Sequence, residues 1–118
     1  MTKDAPAGLP RLLPASDAAL LVVLGEGPSE AATAAVLALR AALAARPPRG
    51  LLDLRPAYAS LLAVFDPRAT THAELARAVE PLLPPPGLPR PPAARCVEVP
   101  VCYEGDCAPD LADVARGA

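Results

Sequence analysis

The chain has 118 residues, enough for one small domain or for one domain with part of another. Its formal charge of −2 argues against nucleic acid, which needs a basic face to displace counterions. The apolar share of 53% suits a packed core, but Tyr58, Phe65 and Tyr103 are the only aromatics, so Leu, Val and Ala must fill it.

A domain of roughly 60–80 residues hides only about 60% of its unfolded surface, so support from a partner or a second domain is expected. Residues 1–9 read as a flexible tail; MTKDAPAG is polar, unlike a secretory signal. Arg11-Leu12-Leu13 predicts a short strand, turned by Pro14 to Asp17. Ala18 to Leu24 is a continuous apolar run with two valines, as in a central strand. Ser29 is placed to cap a helix, with Glu30 near its positive end. Ala32, Val36, Leu39 and Leu43 mark its buried face, and Pro47-Pro48 stops it. That helix is too short and too Ala-rich to cross a bilayer.

Gly50 to Arg55 and Ser60 to Phe65 predict two further strands, joined through Pro56-Ala57-Tyr58-Ala59. In the second of them Leu61, Ala63 and Phe65 take one face, and Leu62 and Val64 the other. Both faces are apolar, which predicts a strand covered on both sides. Thr71-His72-Ala73-Glu74 has the pattern of a capping box, with Leu75, Val79 and Leu82 on one helical face. His72 at the first helical position is expected to be exposed rather than a ligand or a base.

Residues 84–94 are a proline-rich linker, expected to be extended and semi-rigid. The order is thus β(β)αββα, an α+β fold: a small antiparallel sheet with two helices on one face, at 10–83. An extra strand follows the linker, because Val97, Val99, Val101 and Tyr103 alternate with polar or small residues. Pro109-Asp110 then opens a short helix over Leu111 to Arg116.

Little here carries chemistry. Glu30, Asp53, Asp66, Glu74, Glu80 and Glu98 fall on different elements, so no catalytic group is assigned. Gly25-Glu26-Gly27 is a turn, and Pro28 lacks an amide that a phosphate nest would want. No cofactor-binding residue is assigned. Cys96, Cys102 and Cys107 contain no C-x-x-C pair and the lone His72 is remote in sequence, so no metal site is expected. Cys96 and Cys102 share strand parity but lie too far apart for a disulfide. Reduced thiols in a cytoplasmic protein, with no membrane attachment, are the expectation.

The closing VEVPVCYEGDCAPDLADVA resembles the segment V-P-V-x-Y-G-G-x-x-G-P-D-L-x-x-V-A of the KipI/PxpB family, also called allophanate hydrolase subunit 1 and found in the bacterial 5-oxoprolinase. Pro100, Tyr103, Gly105, Pro109, Asp110 and Leu111 carry the match, with Val99, Val101, Val114 and Ala115 beside them. ARAVEPLL before the linker is also similar. Glu104, Cys107 and Ala108 stand where the family usually has glycine, which suggests positive dihedrals or close approach there.

The resemblance implies a small α+β amino-terminal domain followed by a cyclophilin-like one, so 95–118 reads as a stub of that second domain. It implies a carboxyltransferase-type subunit of an ATP-dependent amide hydrolase. Its partners would be a KipA/PxpC-type and a LamB/YcsF-type subunit, and the complex would open 5-oxoproline. ATP belongs to the complex and no cofactor to this chain, which by itself is expected to be inactive. The alternative is a KipI-like module that restrains a sensor histidine kinase by binding it.

Overall fold

The computed structural model of the chain describes residues 8–84, 93 and 95–118. Most of the expected tail and linker therefore lies outside the described residues. Four strands and two helices build the first part: β1 (Arg11–Ser16), β2 (Ala19–Val23), α1 (Glu30–Ala45), β3 (Leu51–Pro56), β4 (Ser60–Phe65) and α2 (His72–Val79). A single turn of 3-10 helix, Glu80–Leu82, extends α2, and Leu83 packs against the core. The sheet is antiparallel throughout, in the order β1-β2-β4-β3.

The apolar runs take the two central places, where every backbone group finds a ladder partner. The proline-bearing β1 and β3 take the edges, where a missing amide costs least. Register follows from the two-residue period. Leu12, Val22 and Leu61 form one cross-strand row on the inner face, and Leu13, Leu21 and Leu62 form the next row on the outer face. Leu20, Val22, Leu24, Leu61, Ala63 and Phe65 join Ala35, Val36, Leu39 and Leu43 of α1 and Leu75 and Val79 of α2 in one core. Both helices thus cover the same face of an α+β sandwich.

The helix starts have definite causes. Ser29 Oγ accepts from the Ala32 amide at 3.0 Å, as its position predicts. Thr71 Oγ1 likewise accepts from the Glu74 amide at 3.2 Å. The second half of the expected capping box does not close: the Glu74 carboxylate turns to the Thr70 hydroxyl instead, at 3.1 Å. Thr70 is buried, so its hydroxyl needs a partner more than the exposed Thr71 amide does.

Gly50 sets the entry to β3. Its φ of +84° is a conformation that side chains rarely adopt, and a Cβ there would meet Thr70 Cγ2 at 2.7 Å. The chain needs this conformation for the Gly50 carbonyl to accept from the Asp66 amide at 2.9 Å, which ties the start of β3 to the end of β4.

Three expectations change. Leu62 and Val64 are half-buried, and among the described residues nothing covers their face, so β4 is packed on one side only. An apolar pattern records what a surface would accept, not whether the same chain supplies it. His72 is not exposed: its ring stands edge-on to Phe65 at 4.9 Å, and its Nε2–H donates to the Ser16 carbonyl at 2.7 Å. The ring closes the end of the core over the β1–β2 turn. Finally, Val97 to Tyr103 form no strand, since no ladder among the described residues includes 95–103. Alternation alone cannot make a strand; a neighbour must satisfy its amides and carbonyls.

Candidate functional site

The residues singled out by their motif lie together in sequence, and the structure gives them a defined local course. Pro100 and Tyr103 sit in the irregular stretch. Glu104 is extended, with φ −122° and ψ 150°, and leads into a turn of 3-10 helix over Gly105–Cys107. Gly105 has a φ of +55°, so the turn needs glycine at this position. Glu104 and Ala108 keep negative φ, −122° and −141°, and no non-glycine residue among those described has a positive φ. The loop therefore accommodates side chains at Glu104 and Ala108 without a left-handed backbone at either.

Pro109 and Asp110 then lead into α3 (Leu111–Gly117). Proline just outside a helix suits its start, because its fixed φ is compatible and its missing amide is not needed. The Asp110 side chain makes no capping bond; its carbonyl accepts from the Val114 amide at 3.0 Å. Asp113 pairs with Arg116 on the helix surface. All six motif residues are exposed and none belongs to the core. Val99 is 72% exposed and Tyr103 69%, unusually open for large apolar side chains in sequence alternation.

The three thiols are free and exposed. Two of them converge. Cys102 Sγ lies 3.7 Å from the Glu104 carbonyl oxygen, which also accepts from the Cys107 amide at 3.1 Å. A backbone hydrogen bond of Glu104, together with one from the Cys107 thiol, holds the Cys102 thiol below its usual value. Sequence reasoning compared Cys96 with Cys102 and missed this pair. The available signal was the glycine midway between Cys102 and Cys107, since a tight turn brings its two flanks together.

The sheet domain offers less. An open groove of about 260 Å³ runs between α1 and β3, with Arg40 on one wall and Asp53 on the other. Asp53 is held below the usual carboxylate range by its hydrogen bond from Arg55 at 2.8 Å and then by the Leu54 amide. This exposed pair orders the surface of β3 without enclosing a substrate. The remaining carboxylates keep structural roles or stand apart: Asp66 accepts from the Arg68 amide at 2.9 Å, and Glu74 from Thr70. Among the described residues no three of His, Cys, Asp or Glu gather as a metal site would require. No helix described is long and apolar enough to cross a membrane.

Comparison with known proteins adds three findings. The family model described as carboxyltransferase domain, subdomain C and D, matches residues 10–118. The chain is similar to a conserved uncharacterised protein of Pyrococcus horikoshii, PH0987, at 32% identity and a TM-score of 0.57, over 61% of this chain and 33% of that one. It is also similar to TTHA0988, at 40% identity and a TM-score of 0.54, over 84% of this chain and 19% of that one; a second crystal structure of TTHA0988 gives 39% and 0.55. The chain thus spans about a third and a fifth of the lengths of these two proteins. No curated protein matches it.

Proposed function

The chain belongs to the family of carboxyltransferase domains, subdomains C and D, and from that premise we propose that it is a non-catalytic amino-terminal domain of the KipI/PxpB type. Residues 10–83 form the domain, 84–94 the linker, and 95–118 the opening of a cyclophilin-like second domain. The parent protein is a subunit of a cytoplasmic, ATP-dependent complex that opens 5-oxoproline, with KipA/PxpC-type and LamB/YcsF-type subunits as partners. Pro100, Tyr103, Gly105, Pro109, Asp110 and Leu111 serve the junction between the two domains by fixing the turn and the start of α3.

One observation carries this reading. A single family match runs through the sheet domain and on through the motif segment, while TTHA0988 accommodates most of this chain in less than a fifth of its own length. The chemistry would then lie in the remainder of the parent protein and in its partners. The turn before α1 is a poor seat for the phosphates of ATP. Pro28 supplies no amide at the Gly25–Gly27 turn, and the Ala32 and Thr33 amides of α1 already bond to Ser29. No step of ATP chemistry is assigned to this chain.

The test is reconstitution. The parent polypeptide, co-purified with the two partner subunits, should open 5-oxoproline with ATP hydrolysis, and deleting 10–83 should abolish assembly. The 118-residue chain alone should show no turnover. Turnover by the chain alone, lost on replacing one of its carboxylates, would contradict the reading. So would failure to associate with those subunits together with inhibition of a sensor histidine kinase, which is the outcome expected of a regulator.

A further inference from the structure

The motif loop carries a pair of thiols that the proposed function does not use. Cys102 and Cys107 flank Tyr103, Glu104, Gly105 and Asp106, and the left-handed Gly105 folds the segment back on itself. The Cys102 sulfur and the Cys107 amide meet at the Glu104 carbonyl oxygen, at 3.7 and 3.1 Å, which brings the two residues together across the turn. Both residues are exposed, so a small reagent reaches either one. Cys96 has none of these contacts: it lies before the turn, in the stretch that joins no ladder.

From this geometry we propose that Cys102 and Cys107 are a reversible redox pair that closes an intrachain disulfide on reaction with a small-molecule disulfide of the glutathione type. The Cys102 thiolate attacks one sulfur of the reagent, breaks its S–S bond and releases one small thiolate. Cys107 gives up its proton to water and attacks the Cys102 sulfur of the mixed disulfide, releasing the second small thiolate and forming the protein S–S bond. Two electrons pass from the pair to the reagent, and the two released thiolates take up the two protons. Cys102 is the attacking group because its lowered pKa gives it more thiolate at neutral pH than an ordinary exposed thiol has. Reduction by the small thiol reverses each step.

The bridge would enclose Tyr103 and Gly105 and end two residues before Pro109. It therefore fixes the turn that leads into α3. The oxidation state of the pair would set how freely the motif segment moves relative to that helix. The proposal depends on the turn alone and stands whether or not the chain serves in an oxoprolinase.

The test uses the purified, reduced chain in mixtures of glutathione and glutathione disulfide at neutral pH, quenched with acid and alkylated. Arg95 and Arg116 bound one tryptic peptide that holds all three cysteines, and cleavage after Glu98 separates Cys96 from the pair. The expected result is joint loss of two of the three thiols, a Cys102–Cys107 link in a monomer, and Cys96 still alkylated. Cys96→Ser should close as the parent does. Cys102→Ser and Cys107→Ser should both lose closure, with Cys107→Ser retaining one glutathione on Cys102. Because all three thiols are exposed, melting of the sheet domain should be unchanged in each variant. A bridge to Cys96, an interchain disulfide, glutathione held on Cys102 of the parent without closure, or retention of all three thiols would overturn the proposal.

Discussion

Gly50 and Gly105 share a left-handed backbone, yet only one of them supports the core. Gly50→Ala would combine a strained φ with a Cβ inside the radius of Thr70, and should cost about 1–3 kcal/mol in denaturant unfolding. A Cβ on Gly105 meets nothing within 4 Å, and its turn lies outside the core, so Gly105→Ala should leave the melting of the sheet domain where it was. Asp53 makes a different prediction. Its carboxyl lies below its ordinary value of 3.8, so the folded state favours the charged form. That stabilisation is present above the ordinary value and is lost as pH falls through the lowered one. The stability of the parent chain relative to Asp53→Asn should be flat above about pH 5 and shrink in acid, as unfolding curves across that range would show. His72 illustrates the limit of residue-level reading. Its place at the start of α2 was evident in the sequence, but not that Phe65 and the Ser16 carbonyl would meet its ring, because those contacts come from the sheet.

At the scale of elements, local chemistry and local structure agree closely. β4 runs over the predicted residues, Ser29 caps α1, and α2 begins at His72, because a polar cap followed by a periodic apolar run admits one boundary. Ser29→Ala should cost about 0.5–2 kcal/mol through loss of the bond to the Ala32 amide. The two faces of β4 give a sharper comparison. Leu61 is fully buried, and Leu61→Ala should cost about 2–5 kcal/mol. Its neighbour Leu62 points to the uncovered face, and Leu62→Ala should cost about 1 kcal/mol. Equal losses in chemical denaturation would mean that something covers the outer face. Sequence could not make this distinction, since both leucines sit in the same apolar run. The Glu74–Thr70 bond was hidden for a similar reason: four neighbouring polar groups compete, and burial of Thr70 decides among them. The motif residues Pro100 to Leu111 could be picked out as a group, but the conformation between Cys102 and Cys107 depends on which single glycine turns left-handed.

For the whole molecule, the core draws on residues from Leu20 to Val79, with Leu12 and Leu83 at its margins, whereas every large apolar side chain from Val97 onward is exposed. Folding of the first part should therefore not require the last two dozen residues, and a chain ending after residue 84 should melt at the same temperature as the full chain. On the function proposed above, the segment from 95 onward begins a second domain whose sheet lies elsewhere. Hydrogen exchange on the dilute, monomeric chain tests this most directly. The amides of β2 and β4 should be strongly protected, and those of Val97, Val99, Val101 and Tyr103 should exchange at close to unstructured rates. Protection of those four amides equal to that of β4 would contradict the account.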